Sequence, residues 1–198
     1  MQWFIMSALV LTAAGFLWYI RATPKRERPG QSSETEEDFR QWLGDPAVLG
    51  ALARAVEALT QLMSHPKLGG PGFLTLRLPQ PEEDGAVTVT AQYPNIREEL
   101  YRLTARRELG RETLLSAGVP EVLLDLSPDF ETDSGGVVVV SVRAAVMSPV
   151  VVGCVSGRSD RQEALSLLTD RLGQRFPALE VRPFGTELLL TPVREAVR

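Results

Sequence analysis

Three observations predict an α+β protein held at a membrane by a single N-terminal helix. Residues 3–20 form one uncharged run, and basic residues follow it at once. Downstream, stretches of helical periodicity are interspersed with stretches that alternate apolar and polar side chains. Their order lacks the strict strand–helix–strand repeat of a parallel sheet. The expected organisation is a transmembrane helix over 1–21, a polar tether over 22–38 and one α+β domain over 39–198, with a mixed or mainly antiparallel sheet and helices packed on one of its faces.

The anchor comes first. The run Trp3 to Ile20 would span roughly 27 Å as a helix, close to the ~30 Å hydrocarbon layer of a bilayer. Trp3 near one end, and Trp18 and Tyr19 near the other, stand where aromatic rings settle at the two interfaces. Arg21, Lys25, Arg26 and Arg28 lie on the C-terminal side only, which places the C-terminal domain in the cytoplasm. Leu11-Thr12-Ala13-Ala14-Gly15 has the small residues of a signal-peptidase site. However, no positive charge precedes the run and the run continues beyond that point, so an uncleaved anchor is expected.

Composition bounds the remainder. Without anchor and tether, about 150 residues are left, enough for one domain with one core. The chain is 44% hydrophobic and 23% charged, as in a globular protein. Its net charge of −4 includes the basic cluster, so the domain itself is more acidic. That disfavours a nucleic-acid partner, which needs a concentrated basic surface. The single cysteine, Cys154, excludes an internal disulfide and agrees with a reducing compartment.

From Ala22 to Asp38 the sequence is polar, and its acidic block Glu34, Glu36, Glu37 and Asp38 favours the start of a helix holding Phe39, Trp42 and Leu43. Asp45-Pro46 reads as the cap and first turn of a second helix. Val48, Leu49, Leu52, Val56, Leu59 and Met63 form its apolar face, and His65-Pro66 with Gly69-Gly70 stops it. Leu74, Leu76 and Leu78, then Val87, Val89 and Ala91, alternate with polar residues around Asp84-Gly85 and predict a β-hairpin. Asn95 and Glu98 open a helix with Ile96, Leu100 and Leu103 inward; Gly110 interrupts it before a continuation to Gly118. Val137 to Val146 is the strongest strand signal, and its apolar start suggests a central strand covered on both sides. Val150 to Val155 reads as a short strand or buried extended segment. Ser159 and Gln162 suggest a capping box for a helix with Ala164, Leu165, Leu168 and Leu172 inward. Leu179 and Val181 begin an extended stretch, Phe184-Gly185 turns it, and Glu187 to Thr191 form the last strand before Pro192.

No catalytic, cofactor-binding or metal-ligating set is expected. His65 is the only histidine and sits at a helix end, where a protonated imidazole would favour the dipole. Cys154 lies in Val152-Gly153-Cys154-Val155, an apolar setting unsuited to a nucleophile. One Cys and one His make no Cys/His metal site, and Asp125, Asp129, Glu131 and Asp133 are scattered over an expected loop without calcium-loop spacing. Gly69-Gly70-Pro71-Gly72 precedes a strand and so lacks the helix amides that cradle phosphate. Arg97, Arg102, Arg106, Arg107 and Arg111 are interleaved with Glu98, Glu99, Glu108 and Glu112, the pattern of surface pairs.

The stretch Tyr101 to Leu114, through Leu103, Arg106, Leu109, Glu112, Thr113 and Leu114, resembles a segment of the domain of unknown function 1517 family, single-pass membrane proteins of cyanobacteria and chloroplasts. A helix ending in His65-Pro66 and the terminal Glu187-Leu188-Leu189-Leu190-Thr191-Pro192 are also similar to that family. This chain departs from it in lacking a glycine-rich tract around the membrane segment, in Leu190 where the family has tryptophan, and in a longer hairpin over Phe73 to Gln92. The resemblance, to a distant member, implies a protein of the cytoplasmic or thylakoid membrane of an oxygenic phototroph, with plastid relatives connected to adjusting photosynthesis to changing light. It brings no catalytic residues. It draws attention to Arg106 and Glu112 as a charged pair joining two helical pieces. The expected function is a membrane-tethered, non-enzymatic regulatory or assembly factor that contacts the bilayer through residues 3–20 and acts on another membrane protein. The alternative is an enzyme or small-molecule-binding domain whose site is assembled from residues distant in sequence.

Overall fold

A computed structural model describes residues 31–70, 72–93, 98–132 and 136–193, with side chains from Glu37 onward except that of Glu98. The expected anchor, its basic flank Arg21, Lys25, Arg26 and Arg28, the expected cap Asn95 with Ile96 of the apolar stripe, and Asp133 lie outside the described residues. Among those described, no helix is long and apolar enough to cross a membrane. Contacts gather Glu34–Arg198 into one unit.

Helix α1, Gln31–Gly44, runs back through the acidic block, so its start lies well before Phe39. Phe39 and Leu43 are buried, and the Trp42 indole N–H donates to the carbonyl of Val146. Helix α2, Pro46–Ser64, starts as its sequence dictates. Asp45 Oδ1 accepts from the Ala47 N–H at 2.8 Å, and Pro46 occupies the first turn. Leu52, Val56, Leu59 and Leu62 on one face are fully buried.

Strands β1, Phe73–Arg77, and β2, Ala86–Tyr93, form the expected antiparallel hairpin. Two helices follow, α3, Glu98–Arg106, and α4, Arg111–Ala117, separated by a turn in which Arg107 takes φ 55°. Helix α4 ends at Gly118, whose φ of 102° is the left-handed conformation favoured at this position. A single turn, α5, Glu121–Leu124, leads to β3, Asp129–Thr132, and β4, Val138–Val146. Next come α6, Pro149–Cys154, α7, Arg158–Arg175, and the terminal hairpin β5, Leu179–Phe184, with β6, Glu187–Pro192, turned at Gly185.

The six strands form one sheet in the order β3-β4-β2-β1-β6-β5, and every neighbouring pair is antiparallel. Register aligns Val140, Ala91, Leu74 and Leu190 in one row, and Val142, Val89, Leu76 and Leu188 in the next. All eight are buried in a single cluster with the inward side chains of α1, α2, α3, α4, α5, α6 and α7. Among the described residues the helices therefore cover one face. On the other, Phe73, Val139 and Leu189 stand outside that cluster.

Four expectations are corrected. Val150 to Cys154 is helical, with Val155 as its C-cap, because Ser148 Oγ accepts from the Val151 N–H and Pro149 fills the first position; this start signal outweighs the strand preference of the valines. Asp129–Thr132, expected as loop, is an edge strand paired with β4. Strand β4 is covered on one side only: Val138 and Val140 are buried, whereas Val139 between them is half-buried on the uncovered face. Finally, α7 begins at Arg158 with Gly157 as its cap and no side-chain capping bond, so Ser159 does not cap it.

Candidate functional site

The uncovered face of the sheet is an ordered surface. Across its middle the register aligns Asp129, Ser141, Thr90, Thr75, Leu189 and Arg182, one from each strand. The Thr90 and Ser141 hydroxyls lie 3.1 Å apart, and Thr75 at the centre is only 7% exposed. A parallel row carries Arg143, Thr88, Arg77, Glu187 and Phe184, the last 67% exposed. The face thus carries short polar side chains and a half-buried leucine across its middle row, and charged side chains on both inner and edge strands.

His65 caps the C-terminal end of α2. Its Nδ1 accepts from the backbone N–H of Lys67 and Leu68, at 3.2 and 3.1 Å. The ring also rests on Gly118: a Cβ there would lie 2.9 Å from His65 Cε1. Thr191 and Pro192 line a cleft together with Met63 and Ser64, next to His65-Pro66, so two stretches far apart in sequence meet. Leu103 and Leu114 are core residues, Leu109 packs against the core, and Thr113 is exposed. Arg106 and Glu112 are both exposed and form no ion pair among the described residues; Arg111 makes the link instead, to Glu121 at 3.2 Å and Asp125 at 2.8 Å. The alternation of signs in this region does not distinguish these arginines, and the tight turn at Arg107 turns Arg111 toward α5.

Cys154 is buried. Its thiol donates to the Val150 carbonyl, and burial, reinforced by the charges of Asp38 and Asp160, raises its pKa above that of an ordinary thiol. That disfavours the thiolate a nucleophile needs. Among the described residues no group of three or more His, Cys, Asp or Glu could hold a metal.

Sequence reasoning missed Arg161. It lies on α7 one turn before Leu165, Leu168 and Leu172, on the apolar stripe, and is 6% exposed. An arginine in line with that stripe was the available signal. Three connections converge around it: Gln80 after β1, Ser156 before α7, and Gly185 with Thr186 between β5 and β6. Burial, and the neighbouring Arg77, lower its pKa, opposed by Glu83. Glu83 is itself held below the usual carboxylate range by hydrogen bonds from the Gln80 backbone N–H and from Arg77.

Compared with known protein families, curated proteins and solved structures, the chain matches none of them.

Proposed function

We propose that this chain is a membrane-tethered, non-enzymatic regulatory or assembly factor whose domain docks another membrane protein on the uncovered face of its sheet. The observation that supports this reading is the face itself: a six-stranded sheet packed, among the described residues, by helices on one side only, with Thr75, Thr90, Ser141 and Leu189 at the centre of the other. The uncharged run Trp3 to Ile20 supplies the tether, and Arg21, Lys25, Arg26 and Arg28 orient the domain toward the cytoplasm. A membrane-held domain meets membrane-held partners at raised effective concentration, so a modest interface suffices. The resemblance to the domain of unknown function 1517 family extends the proposal to the cytoplasmic or thylakoid membrane of an oxygenic phototroph.

The test is affinity capture from detergent-solubilised membranes with three baits: the full chain, the chain lacking residues 1–30, and the full chain carrying Thr90→Arg and Leu189→Arg. The full chain should retain a specific membrane protein that the doubly substituted bait loses. The same captured proteins with the full-length and substituted baits, or no specific protein with any bait, would overturn the reading.

A further inference from the structure

Arg161 is the only charged side chain buried among the described residues. Its Nε donates to the Val155 carbonyl at 3.3 Å, Nη1 to Leu78 at 3.5 Å, and Nη2 to Pro79. Those bonds staple the connection after β1 to the one before α7. A guanidinium carries five N–H groups, so three carbonyls leave two of them without an acceptor among the described residues. The charge is also unmatched. Among the described residues Arg161 takes part in no ion pair, and Glu83, the acid whose field reaches it, is engaged by Arg77 at 2.8 Å and by the Gln80 N–H at 2.9 Å. Carbonyl oxygens solvate a cation without neutralising it, and a buried cation lacking a counter-charge is costly.

The same guanidinium lines a cleft of about 760 Å³, within the range of small-molecule sites. Around it stand Arg158, the side-chain amides of Gln80 and Gln162, and the hydroxyls of Ser156 and Thr186, with Leu165 and Pro183 as apolar wall. Among the described residues no carboxylate lines it. Asp160, in the same first turn of α7, instead folds toward Gly157, where a Cβ would come within 2.5 Å of its Oδ2. Arg158 is exposed, forms no ion pair among the described residues, and sits at the start of an 18-residue helix, whose first-turn amides add to the positive potential.

We propose that this cleft binds the phosphoryl group of a small phosphorylated molecule, with Arg158 and Arg161 as its cations and the flanking amides and hydroxyls holding the polar remainder of the ligand. Two guanidinium groups with no acid between them match a dianion with several acceptor oxygens better than a single carboxylate. The assignment concerns a different part of the domain from the sheet face and stands independently of the docking reading.

Calorimetry on the full chain in detergent micelles at 150 mM KCl tests it with three probes, AMP, glucose 6-phosphate and inorganic phosphate, and with citrate as the non-phosphate anion. At least one phosphate ester should bind saturably and more tightly than inorganic phosphate, which should compete with it. Arg158→Gln removes an exposed cation and leaves the carbonyl staple of Arg161 in place; it should weaken the ester about tenfold or more. Gln80→Ala should weaken the ester more than inorganic phosphate. The proposal is overturned by no saturable binding of any phosphate probe, by citrate binding as tightly as the ester, or by ester affinity unchanged in Arg158→Gln.

Discussion

Replacing Tyr93 by phenylalanine should stabilise the protein. Tyr93 closes β2, pairs with Val138 and is 1% exposed, yet its hydroxyl has no hydrogen-bond partner among the described residues. An unsatisfied buried polar group costs on the order of 1–3 kcal/mol. Tyr93→Phe keeps the ring and its packing and removes that cost, while the missing oxygen leaves a small void that returns part of the gain. The expected net is about 1 kcal/mol, which raises the midpoint of thermal unfolding by roughly 2–4 °C at this domain size. Burial also holds the Tyr93 phenol protonated well above its usual range. Above pH ~10 the unfolded chain releases this proton while the folded chain keeps it. The folded state then binds more protons, so the stability of the parent protein falls as pH rises there. The phenylalanine variant lacks that loss, so its advantage should widen between about pH 10 and 11. Urea unfolding of both proteins in the same detergent, followed by fluorescence at pH 7 and at alkaline pH, measures the two quantities. A lower urea midpoint for the variant at pH 7 with unchanged slope, or a gap that stays constant through pH 10, would refute the reasoning.

Four further outcomes are expected. Cys154 should react with a maleimide at least about a hundredfold more slowly in the native protein than in denaturant, followed by mass spectrometry. Gly118→Ala should cost about 1–3 kcal/mol in urea unfolding, from its φ of 102° and the 2.9 Å approach to His65; adding His65→Ala should relieve the steric part and leave the backbone part. Arg111→Ala should leave the urea midpoint close to the parent's, since its pairs with Glu121 and Asp125 are exposed and screened by solvent, and Arg106→Ala should stay within about 0.5 kcal/mol of the parent in the same assay. A reporter fused after Arg198 should be cytoplasmic, with the domain protected from protease added outside intact cells; neutralising Arg21, Lys25, Arg26 and Arg28 while adding lysines after Met1 should turn part of the population around. Digestion of the unmodified domain from outside would refute that orientation.

Local chemistry made much of this fold legible. Asp45-Pro46 specifies the start of α2 through one side-chain bond, Gly118 and Gly185 supply the left-handed residues that end α4 and turn the last hairpin, and the alternation around Leu74, Leu76, Val87 and Val89 encodes which face is buried. What escaped depends on partners remote in sequence or on signals that compete. The four charged or half-exposed residues of β3 become a strand only because β4 offers them a ladder. In α6, valine preference pointed to a strand and Ser148-Pro149 to a helix, and the helix start prevailed. Arg161 looked like one more surface charge, because the carbonyls of Leu78 and Pro79 that receive it lie more than eighty residues away.

The position of β1 between β2 and β6 governs when the sheet can be finished during synthesis. Leu74 pairs with Ala91 soon after the ribosome releases it, but its other partner, Leu190, belongs to the last strand. At roughly 5–20 residues per second, the intervening stretch takes on the order of ten seconds to emerge. Throughout that interval the flank of β1 is an unpaired strand edge. Completion rests on the β5–β6 hairpin, whose two-residue turn at Gly185 and Thr186 lets it form locally and dock as a unit. A chain that stops short of β6 would keep that edge open for good, a template for pairing with the wrong molecule.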